Sequence, residues 1–149
     1  MNVFTPKAST WVVLLTGLSL GSFQNIRNDI QLHTRVSGIK QKGKIMIGLY
    51  NKAAGFGEDS KTFKSCMVDP AGRAEVTVSF DELPPGEYAI ALYQDINNNG
   101  KLDAGLFGKP KEPYAFSRNV KPRFSAPHFD DCKFQIQSVV RQDIVLINP

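Results

Sequence analysis

Cysteine and histidine are scarce in this sequence, with two of each in 149 residues. Cys66 and Cys132 stand far apart and form no CxxC or other metal-type pair, which excludes a zinc ribbon or a thioredoxin-like redox motif. His33 and His128 are the only imidazole bases, and neither stands in a nucleophilic motif, so hydrolysis of the nucleophile type has little to draw on. Charge of one sign is also lacking. Lys and Arg number 18 against 14 Asp and Glu, and the formal charge of +4 is dispersed along the chain, too weak a field to argue for nucleic acid. The apolar run "WVVLLTGLSL", ten residues long, is too short to cross about 30 Å of hydrocarbon as a helix. Internal repeats, low-complexity tracts, an interdomain linker and a convincing amphipathic helix are absent as well.

What is present begins with that apolar run. It sits in a stretch, residues 1–24, with one basic residue (Lys7), no acid, and the small residues Ser19, Gly21 and Ser22 at and just past its end, the pattern of an export signal. Residues 1–24 are therefore expected to be a cleaved signal peptide, with the mature protein starting between Ser22 and Asn25. Residues 25–149 are expected to form one domain in the periplasm or outside the cell, with no stable membrane insertion after cleavage. A retained anchor or an N-terminal core helix is the alternative. No cysteine lies near the end of the run to accept a lipid.

The remainder has an ordinary globular composition, 42% hydrophobic and 21% charged, far from that of disorder. It alternates with period two. "IQLHTRV" puts Ile30, Leu32, Thr34 and Val36 on one face, and "KIMIGLY" does the same with Ile45, Ile47 and Leu49. "FKSCMV" gives a short strand, and "RAEVTVSF" turns Val76, Val78 and Phe80 inward. "LPPGEYAIALYQ" turns at Pro84-Pro85-Gly86 and continues as a strand apolar on both faces. "CKFQIQSV" and "QDIVLIN" complete seven. The expected fold is an all-β, seven-stranded antiparallel β-sandwich of immunoglobulin or transthyretin (prealbumin) type, with one long rim loop over residues 95–119. Cys66 and Cys132 fall at inward strand positions by parity. In an oxidising compartment a disulfide between them is expected, the alternative being two buried thiols.

That rim loop, "YQDINNNGKLDAGLFGKPKEPYAFSRN", is longer than structureless loops in compact domains usually are. Its first residues place Asp95, Asn97, Asn99, Gly100, Leu102 and Asp103 at positions 1, 3, 5, 6, 8 and 9 of a calcium loop of the EF-hand type. Calcium takes six to eight hard oxygens at about 2.3–2.6 Å, which alternate side chains of a curling loop can supply. Gly100 permits the sharp turn, Lys101 offers only its backbone carbonyl, and Leu102 is expected to pin the loop to the core. At position 12, Leu106 replaces the bidentate glutamate, and Glu112 is the best substitute carboxylate. The competing reading is a polar turn in which Asn and Gly tolerate left-handed backbone.

"LPPGEYAIALYQDINNNGKLD", "GKPKEPYAFSRN" and "SAPHFDDCKFQI" together resemble the bacterial family of exported proteins catalogued as domain of unknown function 2141, over roughly Ile30 to Ile147. Its members show an "LPPGxYA" turn, an "HDxNxNGxLD" loop, a "GxPxEGYGFSN" segment and a "PxFxDxxF" motif. The matching positions include Pro85, Gly86, Tyr88, the six loop residues above, Gly108, Pro110, Glu112, Tyr114, Phe116, Ser117, Pro127, Phe129 and Asp131. Gly108 and Pro110 are read as loop-shaping. Gln94 stands where histidine is usual, Pro113 and Ala115 replace two glycines, and Arg118 replaces an asparagine. The resemblance implies an exported β-sandwich and supplies no activity.

Catalysis is not expected. The acid pairs Asp130 with Asp131 and Asp81 with Glu82 are adjacent in sequence, and adjacent strand residues point to opposite faces. The expected function is a non-catalytic exported domain, calcium-bound at its rim loop, that serves as an accessory or ligand-binding module of the cell envelope. Tyr114, Phe116 and Arg118 would face a ligand such as a glycan or envelope component. The basic run Lys109, Lys111, Arg118, Lys121 and Arg123 suits an anionic glycan or lipopolysaccharide, or is simply a solvated loop. A purely structural module without metal is the second reading.

Overall fold

The computed structural model describes residues 30–40 and 42–149. The leader expected over residues 1–24 lies outside them. The described chain is all-β apart from a four-residue helical turn and three short 3-10 turns. No helix among the described residues is long and apolar enough to cross a membrane. Among the described residues eight strands form two sheets: β1 (Leu32–Ser37), β2 (Lys44–Tyr50), β3 (Lys64–Val68), β4 (Glu75–Phe80), β5 (Gly86–Asp95), β6 (Tyr114–Phe116), β7 (Phe134–Ile136) and β8 (Val140–Val145).

The smaller sheet has the order β4-β1-β8; the larger runs β3-β2-β5-β6, with β7 also pairing with β5. Two corrections to the expected fold follow. The strands number eight rather than seven, because Tyr114–Phe116 within the presumed loop pairs with Ala91–Tyr93 of β5. The smaller sheet is mixed rather than antiparallel, because β8 runs parallel to β1, with Leu32 opposite Val140 and Ser37 opposite Val145. After β7 the chain leaves the larger sheet and crosses to the other one, and that crossing fixes the direction of β8.

The alternation read from the sequence produces the core. Ile30, Leu32, Val36, Ile45, Ile47, Leu49, Val76 and Phe80 are all buried and meet Ile90, Leu92, Ala115 and Ile144 between the sheets. Burying a large aliphatic side chain contributes roughly 1.5–3 kcal/mol, so this layer supplies most of the driving force. β5 is buried on both faces as expected, because a second cluster of Tyr50, Ala89, Phe129 and Cys132, joined by Phe56, Phe116 and Val120, covers the outer side of the larger sheet. Residues 51–63 and 117–132 supply that cover.

β6 and β7 lie end to end along one edge of β5, opposite Ala91–Tyr93 and Gly86–Tyr88 respectively. Neither strand reaches Ile90. There the fully buried Ser117 hydroxyl takes the place of a strand: the Ile90 N–H donates to Ser117 Oγ at 2.9 Å, and Ser117 donates to the Cys132 carbonyl at 2.7 Å.

Candidate functional site

β5 ends at Asp95, and the polar loop begins there. Asp95 is buried and accepts two backbone N–H groups: Asn99 donates to Oδ1 at 3.1 Å and Gly100 to Oδ2 at 2.7 Å. The chain closes on itself through Asn98 at φ 56° and Gly100 at φ 76°, the second a conformation that L side chains adopt rarely. Asn97 and Asn99 both aim their amide NH2 groups at Asp103, at 2.7 and 3.0 Å. Their amide oxygens accept the backbone N–H groups of Asn99 and Lys101. The four side chains predicted at alternate positions are thus brought together around one turn.

Glu112 reaches the same loop in a role the sequence did not suggest. It is 4% exposed and clamps the base, accepting the Ile96 N–H at 2.8 Å through Oε1 and the Asp103 N–H at 3.0 Å through Oε2. Asp95, Asp103 and Glu112 form no salt bridge with any cationic side chain among the described residues. Their negative charge is felt nearby. The Tyr93 hydroxyl is pushed far above its ordinary range by burial first, then by the Asp59 carboxylate, which accepts its hydrogen bond at 3.3 Å, and also by Asp95 and Glu112. Among the described residues no group of three or more His, Cys, Asp or Glu side chains is placed to hold a metal on its own. The donor set at this turn is mixed, carboxylates with amides.

Two further residues position the loop, and neither was singled out for it. Gln94 is fully buried and ties the β1–β2 connection to the loop: its amide donates to the carbonyls of Lys40 and Lys42 at 2.8 and 2.7 Å, and its oxygen accepts the Lys40 N–H at 2.9 Å. This is a structural use of the position where an imidazole was in question. Gly43, at φ 94°, packs directly under the loop. A Cβ there would lie 2.7 Å from the Ile96 Cα and closer still to the Asp95 carbonyl oxygen. Such roles are invisible in sequence, since they depend on backbone brought in from another strand pair.

The other predicted residues scatter. Gly108 has φ 72°, and Pro110 bridges to Ala104, so both shape the loop. Leu102 does not pin the loop to the inter-sheet core: it is 38% exposed and lines a cavity of about 180 Å³ on the outer face with Tyr93, Tyr114 and Phe116. Tyr114 and Phe116 flank the inward Ala115 on β6, so both point outward and are half-buried. Phe116 is as much packing as display, with ring centroids 6.0 Å from Phe56 and 6.1 Å from Tyr114. Arg118 is exposed at φ 60° and donates to the Asp131 carbonyl at 3.2 Å.

The expected disulfide is not formed; Cys66 and Cys132 are free thiols. Cys66 lies opposite Ile47 and packs against the inter-sheet core, whereas Cys132 ends the helical turn Phe129–Cys132 and belongs to the outer-face cluster. The strand parity that joined them failed because Cys132 is not on a strand. Burial pushes the Cys132 thiol up to about 11, with Asp131 adding to it, and raises Cys66 as well, which leaves both poor nucleophiles. His33 contacts Ser79 at 2.7 Å across an exposed strand pair, and His128 caps the helical turn, its backbone N–H donating to the Asp131 carboxylate at 2.9 Å.

Residues 34–143 match a family model described as "Uncharacterized protein conserved in bacteria (DUF2141)". No curated protein and no solved structure matches the chain.

Proposed function

The chain belongs to the bacterial family of uncharacterized proteins DUF2141, whose description assigns no activity, and on that premise we propose that it is a non-catalytic, exported binding module whose rim loop holds a calcium ion. The observation that carries this reading is a set of carboxylates, two of them buried, with no cationic partner among the described residues. Asp95 and Glu112 are 3% and 4% exposed, half-buried Asp103 lies between them in the network, and no basic side chain among the described residues pairs with any of the three. Ionised carboxylates are costly to bury unless paired or coordinating a metal, and hard oxygens on a tight turn suit calcium.

The chemistry of the donor set fits. Asp95, Asn97, Asn99 and Asp103 supply side-chain oxygens and Lys101 its carbonyl, with Glu112 holding the base of the loop by its two N–H bonds and adding charge. A cation requires oxygens, so the amides of Asn97 and Asn99 must turn, exchanging their N–H bonds to Asp103 for oxygen contacts. A ligand such as a glycan of the cell envelope would meet the outer face beside Leu102, where Tyr93, Tyr114 and Phe116 offer aromatic walls.

Calorimetric titration with calcium, together with melting curves in calcium and in chelator, tests the reading. Calcium is expected to raise the melting temperature by mass action. Asp95→Ala should abolish the shift, whereas Lys101→Ala, which keeps the carbonyl, should preserve it. The side-chain amide resonances of Asn97 and Asn99 should move on binding. No heat at millimolar calcium and an unmoved melting curve would show that the loop is a self-sufficient polar cap.

A further inference from the structure

We propose that the hairpin at residues 104–110 is a membrane-docking tip, which places Leu106 and Phe107 in the interfacial region of an anionic lipid bilayer. The hairpin is closed by the chain itself. Ala104 bridges to Pro110, the Gly105 N–H donates to the Lys109 carbonyl at 2.7 Å, the Gly108 N–H to the Gly105 carbonyl at 3.2 Å, and the Lys111 N–H to the Asp103 carbonyl at 2.8 Å. At its tip Leu106 is 85% and Phe107 104% exposed. Phe107 also has φ 63°, a left-handed conformation that is a genuine outlier for a bulky residue. Its side chain gains no packing against the described residues to offset that strain, and they give no reason for a phenylalanine there.

The surroundings select the partner. Between Ala104 and Phe129 the sole carboxylate side chain is Glu112, which is buried, while Lys109, Lys111, Arg118, Lys121 and Arg123 are all in that span. Phe124, 103% exposed, stands beside Arg123. Its segment approaches the loop that carries the hairpin: Ala126 and Pro127 wall one cavity with Leu102, two residues before Ala104. Exposed aromatic and aliphatic tips, with Lys109 and Lys111 just after Leu106 and Phe107 in sequence and Arg123 just before Phe124, match the two layers of an anionic membrane surface: charged headgroups outside, acyl chains just beneath. The proposal does not rest on calcium, because protein bonds alone close the hairpin.

Cosedimentation of the full chain with vesicles tests it, in chelator, comparing phosphatidylcholine vesicles with mixed phosphatidylcholine and phosphatidylglycerol vesicles. The apolar run at residues 11–20 is common to every variant, so differences between variants read the tip. Binding to the mixed vesicles is expected to fall at least about tenfold for the double substitution Leu106→Ser with Phe107→Asn. The melting temperature should not fall, because asparagine suits the left-handed region better than phenylalanine. Lys109→Glu combined with Lys111→Glu should abolish the preference for phosphatidylglycerol. Absence of wild-type binding, equal binding by the tip variant, or a clear loss of its thermal stability would each overturn the proposal, the first leaving the tip as a surface for a protein partner.

Discussion

Ser117→Ala probes the joint on which the larger sheet depends. The substitution removes one oxygen and leaves the methylene packing in place. The Ile90 N–H then has no partner on the edge of β5 between β6 and β7, and the Cys132 carbonyl loses its donor. Both groups sit where Ser117 and Ile90 are fully buried, so water cannot replace the hydroxyl without opening the structure. An orphaned buried polar group costs about 1–3 kcal/mol, so two cost roughly 2–4 kcal/mol after some relaxation. Domains of this size are stable by only about 5–15 kcal/mol, and the melting temperature should drop by about 8–16 °C. Urea denaturation should show a lower midpoint with an unchanged slope, and the Ile90 amide should exchange faster with deuterium. A loss below about 0.5 kcal/mol, with Ile90 still protected, would refute the reasoning that a hydroxyl stands in for a strand here.

Three further outcomes are expected. Thr34 Oγ1 is fully buried with no hydrogen-bond partner among the described residues, so Thr34→Val should stabilise the protein by about 1 kcal/mol in urea denaturation. Gly43→Ala combines φ 94° with a clash against the Asp95 and Ile96 backbone; it should cost about 2–4 kcal/mol and blunt any calcium-dependent thermal shift. At alkaline pH, burial pushes the Tyr50 hydroxyl up to about 12, with Asp59 and Glu58 adding to it. Its folded pKa thus exceeds the value of about 10 in the unfolded chain, so its contribution to stability is complete below about pH 10 and is lost as pH rises toward 12. Melting curves should fall across that window, and tyrosinate absorbance of the native protein should develop late.

The strands were legible because period-two alternation is a local signal imposed by a buried face: Leu32 and Val36, or Ile45 and Ile47, need only their own neighbours to be read. The polar turn was legible for a similar reason, since Asp95, Asn97, Asn99 and Asp103 bond to one another and to backbone within a few residues. The three-residue β6 was not, since a strand that short carries no period; it exists only because the edge of β5 accepts it. Parity misplaced Cys132, because the helical turn before β7 breaks the alternation on which the count relied.

The sequence by itself determined an all-β chain, its main strands, its inward residues and the composition of its polar loop, all consequences of chemistry acting over a few consecutive residues. Only the tertiary structure decided that β8 runs parallel to β1, that Glu112 clamps the loop across its base, that Gln94 and Gly43 brace it from another strand pair, and that Ser117 completes the edge of β5. Each of these depends on backbone groups that are remote in sequence and become neighbours only when the two sheets close over their core, and a buried N–H or carboxylate then takes whichever partner the fold has brought within reach.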